Sequence, residues 1–127
     1  MSIEIRLAEP ADAPELHRVI REAFSARPAV DPPADALGDT VDDVAATVRD
    51  GYGVLVERAG RAIAGLLMEI DDGTARLRRV SVVPGESGSG IGVDMIATTL
   101  IAATDLGARR VEIVARREFP RTVTWWE

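Results

Sequence analysis

The stretch Val82-Val83-Pro84-Gly85-Glu86-Ser87-Gly88-Ser89-Gly90-Ile91-Gly92 carries most of what this chain discloses. Apolar Leu77, Val80, Val82 and Val83 lead into it and predict a strand over residues 75–83. Ile96, Ala97, Leu100 and Ala103 lead out at helical spacing and predict a helix over about residues 89–106, capped by Gly107. Glycines between a strand and a helix let the backbone reach positive φ and approach a ligand with no Cβ in the way. The first-turn N–H groups of a helix lack partners, and its dipole places about half a positive charge there. Such a corner suits an anion, phosphate or pyrophosphate best. A glycine inside a helix costs ~1 kcal/mol relative to alanine. Three alternating glycines at a helix start therefore imply either a ligand or a close-packed turn without one.

Two other phosphate motifs fit worse. A Walker loop requires a lysine after its second glycine, and the chain has no lysine. A dinucleotide fingerprint places a third glycine where Val93 stands, and it follows the first strand of its fold, whereas this loop follows the fourth.

Outward from the loop, the pattern predicts β-α-α-β-β-β-α-β-α. Ile3, Ile5 and Leu7 alternate with polar residues as a first strand. Asp12, Pro14 and Glu15 start a helix whose apolar face is Leu16, Val19, Ile20, Ala23 and Phe24. Residues 28–39 form a proline-rich loop, and Thr40 with Asp42 and Asp43 caps a second helix carrying Val41, Val44, Ala45 and Val48. Residues 53–58 and 62–70 flank a hairpin turn at Ala59-Gly60-Arg61, and Asp71-Asp72-Gly73 turns into the strand before the glycine loop. Arg110–Ala115 is the next strand, and Pro120 sits in the first turn of a last helix. The expected class is α/β, a mixed sheet with helices on both faces, in which the strand–helix–strand crossover makes its two strands parallel.

At 127 residues the chain is one domain, 1–127. It has no cysteine, so disulfides, thiolate metal sites and a cysteine nucleophile are excluded. No apolar run approaches the ~20 residues of a membrane helix, and Met1–Arg6 lacks the features of a signal peptide. A cytoplasmic protein with no membrane partner is expected. The net charge of −6 argues against nucleic acid as a partner. Residues 1–75 carry seven arginines against fifteen acids, a balance of −8; residues 76–127 carry eight against six, a balance of +2. The positive half holds the glycine loop. The acidic half suits a cationic acceptor or is simply a solvated surface.

Val82-Val83-Pro84 followed by Ser87-Gly88-Ser89-Gly90-Ile91-Gly92 resembles motif A of the GNAT N-acetyltransferases: a strand with V-x-P, then Q/R-x-x-G-x-G/A. The element order resembles that family too, as does the opening from Arg6 to Asp12. The resemblance implies acetyl-CoA as acyl donor, held by Val82, Val83, Ser87, Gly88, Ser89, Gly90, Ile91, Gly92 and Val93. It implies transfer of the acetyl group to an amine, on a small molecule or a protein. A main-chain N–H near Val82 would polarise the thioester carbonyl, and Glu69 would act as base through water. Three departures stand out. Ser87 replaces the family's Gln or Arg, and Trp126 stands where many members have a tyrosine that protonates the thiolate. An indole N–H donates a hydrogen bond and is no acid near neutral pH. The family's last two strands are lacking, which implies a fragment of a larger fusion protein, a short variant, or a sheet edge completed by a partner chain, as in a homodimer. A catalytically weak or inactive CoA-binding module is the alternative to an N-acyltransferase.

Other polar residues carry weaker signals. Glu112, on the face opposite Val111, is a second candidate base. Arg76, Arg78 and Arg79 crowd the strand before the loop, as a draw for phosphate or as a surface stripe. His17 falls off its helix's apolar face and is expected on the surface; Tyr52 precedes a strand; Ser81 lacks the base a nucleophile needs.

Overall fold

The computed structural model describes residues 3–25, 39–86, 88–115 and 121–126, from residue 114 onward as backbone. Its elements are β1 (Ile3–Leu7), α1 (Ala13–Ser25), α2 (Val41–Asp50), β2 (Tyr52–Arg58), β3 (Arg61–Asp71), β4 (Thr74–Val82), α3 (Ile91–Asp105), β5 (Arg110–Ala115) and β6 (Arg121–Trp126). The strands lie side by side in chain order as one sheet. Neighbours are antiparallel except β4 and β5, which run parallel across the α3 crossover. The two inner hairpins turn on Ala59-Gly60 and Asp72-Gly73, all four at positive φ. That geometry matches the twist of the flanking strands.

Helices cover both faces. Leu16, Val19 and Ile20 of α1 and Val44 and Val48 of α2 pack with Leu55 and Leu67 on one face. Ile91, Met95 and Ala103 of α3 pack with Val56, Leu66, Met68, Leu77 and Val111 on the other. Helix α1 lies close to the sheet because two strand residues lack a Cβ. One added at Gly53 would stand 3.1 Å from Leu16 Cδ2 of α1 and 2.9 Å from Val48 Cγ2 of α2, and one at Gly65 would collide with Leu16 Cδ1 and lie 2.9 Å from the Val54 carbonyl. Thr40 and Asp43 form the expected reciprocal capping box at α2, whereas at α1 Asp12 is the reciprocal acid of a box on Glu9, one turn earlier than expected, and Glu15 pairs with Arg18. Before α1, Asp12 accepts from the Glu9 N–H at 2.8 Å. Arg6 ties this start to the sheet, donating to Asp12 at 2.9 and 3.1 Å and to Glu57 of β2 at 3.0 Å.

The sequence-based expectation needs correction in three places. The last element is a strand, not a helix: β6 pairs antiparallel with β5, from Arg110↔Trp126 to Ala115↔Arg121. Thr122-Val123-Thr124-Trp125-Trp126 is β-branched and aromatic throughout, and such residues favour a pleated surface. The outer edge of β5 is thus paired within the chain. Second, the buried stripe of α3 is Ile91, Met95, Thr99 and Ala103, while Ala97 is exposed. Thr99 is accommodated because its hydroxyl donates to the Met95 carbonyl at 2.7 Å. Third, Val41 opens α2 on the exposed side.

Candidate functional site

Strand β4 has neighbours on both sides only in its first half. It pairs with β5 from Thr74↔Arg110 to Leu77↔Ile113 and no further, while it stays registered with β3 as far as Val82. A wedge-shaped gap therefore opens between β4 and β5 beyond Leu77. The Val83 N–H donates to the Ile63 carbonyl of β3 at 3.0 Å. Backbone groups alternate in direction along a strand, so the N–H of Val82 points the other way, into the gap.

A bulge shapes the same half of β4. Gly65 faces Ser81 and Leu67 faces Arg78, so Arg79 and Val80 together oppose Leu66. Arg79 has φ +55°, a left-handed conformation that only glycine adopts without strain. Two contacts hold it there. The Ser81 hydroxyl donates to its carbonyl at 2.7 Å, and its guanidinium donates to Asp39 at 2.9 Å. His17 Nε2 lies 2.9 Å from the Asp39 carbonyl, so this histidine is half-buried and ties α1 to the start of α2.

The chain leaves β4 through a tight turn at Pro84–Glu86 and reaches α3 with Gly88 at φ +83° and Gly90 at φ +86°. Gly90 is the N-cap residue, with no side-chain hydrogen bond at the cap. The first helical bond is Asp94 N–H to the Gly90 carbonyl at 3.1 Å, which leaves the N–H groups of Ile91, Gly92 and Val93 for a ligand. A Cβ at Gly85, Gly88 or Gly90 would meet nothing within 4 Å, so these glycines serve an open cradle and not a packed turn. Ser89 is spent on the loop, its hydroxyl donating to the Glu86 carbonyl at 2.6 Å. Ser87 lies outside the described residues. Val83 borders both cores, and Val82 packs under Gly92. The open helix start and the strand gap thus adjoin one another.

Arg58 is a residue the sequence did not single out. From the end of β2 its Nη1 reaches both carboxylate oxygens of Glu86, at 2.8 and 3.0 Å. The contact spans 28 residues, and a lone arginine at a strand end gives no sign of it.

The arginine and carboxylate candidates sit on the other side of the sheet. Ala75 and Leu77 face α3, so by alternation Arg76 and Arg78 face the α1–α2 side and not the phosphate cradle. Each meets an acid: Arg76 with Glu112 at 3.1 Å, Arg78 with Glu69 at 3.1 Å. Arg110 also meets Glu112, at 3.2 Å. Glu69 is half exposed, whereas Glu112 is largely covered. Tyr52 packs into the α3-side core. Trp126 pairs with Arg110 at the start of β5, away from the gap, and does not take a tyrosine's place on a helix. Among the described residues no His, Cys, Asp and Glu group could hold a metal, and no helix is long and apolar enough to cross a membrane.

No protein-family profile and no curated protein matches the chain. Solved structures do. The PaiA N-acetyltransferase of Thermoplasma acidophilum, in complex with coenzyme A, superposes with a TM-score of 0.76 at 17% identity, over 93% of this chain and 82% of that one. A GNAT family acetyltransferase from Brucella melitensis, in complex with acetyl-CoA, gives 0.75 at 25% identity, over 93% and 79%. The ribosomal-protein-S18-alanine N-acetyltransferase of Escherichia coli gives 0.67 at 16% identity, over 91% and 68%. The strand gap, the bulge and the open helix start lie within a chain that has the fold of the GNAT acetyltransferases.

Proposed function

We propose that this protein is an N-acyltransferase that moves an acetyl group from acetyl-CoA to an amine. The observation that carries the proposal is the gap between β4 and β5 opening beside the uncapped start of α3. Structures of similar fold are complexes with coenzyme A and with acetyl-CoA, which supports the same donor here.

The residues fit that donor. The amides of Gly88 and of Gly90 to Val93, at the positive end of α3, hold the pyrophosphate, and Gly88 and Gly90 keep the approach clear. The free edge of β4 beyond Leu77 offers backbone groups to the amide-bearing arm between pyrophosphate and sulfur. A main-chain N–H on that edge near Val82 donates to the thioester carbonyl and stabilises the oxyanion as it forms. This donor is main chain, so it does not depend on side-chain identity. Bound acetyl-CoA supplies the activated acyl group: a C–N bond to the amine forms as the C–S bond breaks and the thiolate leaves.

Glu69 serves as base, taking the ammonium proton through water on the α1–α2 side. No acid for the thiolate is assigned. A thiolate with a pKa near ~8.5 leaves tolerably unaided, and a missing acid costs roughly 10²- to 10⁴-fold in rate. One observation favours the alternative of a weak or inactive CoA-binding module: Glu69 and Glu112 are both already engaged by arginines.

Release of free thiol from acetyl-CoA, measured with a panel of amines, tests the proposal. Amine-dependent release with matching N-acetylated product supports it. Binding of acetyl-CoA with no release for any amine supports the module, and no binding at millimolar concentration rejects both.

A further inference from the structure

We infer that the acceptor is an amine that carries its own carboxylate, an α-amino acid or a compound with the same zwitterionic group, and that Arg78 selects it. The inference rests on the acyl-transfer function proposed above and narrows its acceptor.

Placement comes first. Arg78 is the first residue of β4 beyond the last pairing with β5, so it stands at the vertex where the gap begins. It faces Leu67 across the β3–β4 ladder, and Leu67 belongs to the α1–α2 core. Arg78 therefore lies on the side of the sheet opposite α3. The donor's pyrophosphate is held at the α3 end, so an acceptor reaches the thioester from the side where Arg78 stands.

Arg78 is also incompletely engaged. Among the described residues its Nη2 meets Glu69 Oε1 at 3.1 Å. Its Nε is buried and, among the described residues, has no hydrogen-bond partner. A buried donor without an acceptor is costly. Nε–H and the adjoining Nη–H form the edge that grips a carboxylate through two parallel bonds. A ligand carboxylate would supply the missing acceptor.

Charge then narrows the ligand. Around Arg78 on this side stand Arg76, Arg79 and Arg110 with the acids Asp39, Glu69 and Glu112, four cations against three anions. A simple cationic amine gains little there, because all three acids already have arginine partners. A zwitterion matches the neighbouring pair, with its carboxylate on Arg78 and its ammonium beside Glu69. That placement also puts the nitrogen next to the proposed base.

The test compares the common L-amino acids with their own carboxamides as acceptors, under saturating acetyl-CoA. The expected result is a kcat/KM about 10- to 100-fold higher for the acid than for its amide, the range for one charge-assisted contact. In R78A the acid should fall to the level of the amide, while R78K retains part of the preference. Acetyl-CoA calorimetry on each variant verifies that it is folded. Where turnover is slow, binding of acid and amide to the CoA-loaded protein gives the same comparison. Amides acetylated or bound as well as acids would overturn the inference and leave acyl transfer intact. A preference for acids that survives in R78A would remove Arg78 from it. Failure to bind acetyl-CoA at all would instead strike the function proposed above, and this inference with it.

Discussion

Gly90 holds φ +86° with open space where its Cβ would be. Aspartate tolerates that backbone better than most residues, so Gly90→Asp should leave the protein folded. Its carboxylate would stand against the pyrophosphate, and two unit charges ~4 Å apart near a protein surface repel by a few kcal/mol. We expect acetyl-CoA affinity to fall at least about 100-fold in calorimetry; unchanged affinity would mean that the phosphates lie elsewhere. Asp94 offers the opposite test. It is an exposed acid in the first turn of α3, and Asp94→Asn should tighten binding by a few-fold, more so at low salt. At this scale the glycine cradle was legible, because glycine at a helix start is costly unless backbone geometry or a ligand requires it. Arg58 was not legible, since its partner Glu86 is distant in sequence and only the fold joins them. If that contact sets the cradle's shape, Arg58→Ala should raise the KM for acetyl-CoA with little change in kcat, read from initial rates.

Among the elements, α1, α2 and the two inner hairpins could be read from the sequence because local signals agreed. Capping residues, apolar spacing and turn dipeptides all pointed the same way. The strand at 121–126 was misread because a proline and an expected family helix outweighed five consecutive β-favouring residues. The buried stripe of α3 was misplaced because a threonine looks polar until its hydroxyl finds the carbonyl one turn back. The β4 bulge left no trace, since Arg79 is neither glycine nor asparagine. Gly65 is also decided at this scale, by the approach of α1. Gly65→Val should cost about 1–3 kcal/mol of stability by overpacking, seen as a lower urea midpoint at constant slope. A neutral result would show that α1 can shift away from β3.

For the whole molecule, the ion pairs between elements make stability depend on pH. Hydrogen bonds from Arg6 hold the Asp12 carboxyl below its ordinary value of 3.8, and Arg18 does the same for Glu15 below 4.5. A carboxylate whose folded pKa is depressed adds stability above its unfolded value and loses it as pH falls through the folded one. Wild type should therefore lose stability below about pH 4.5, and Asp12→Asn, weaker at pH 7, should converge with it as pH approaches 3; parallel urea curves at both pH values would remove the Arg6–Asp12 tie from the account. The fold follows from agreement between sequence pattern and sheet topology, whereas the acceptor depends on side chains that only the folded sheet brings together. The central claim is that the start of α3 and the gap beside β4 hold one ligand between them. A crystal structure of the protein with acetyl-CoA tests this most directly. The account predicts pyrophosphate oxygens on the amides of residues 88 and 90–93 and the thioester carbonyl on a β4 main-chain N–H near Val82. Coenzyme bound elsewhere, or a thioester that never enters between β4 and β5, would contradict it.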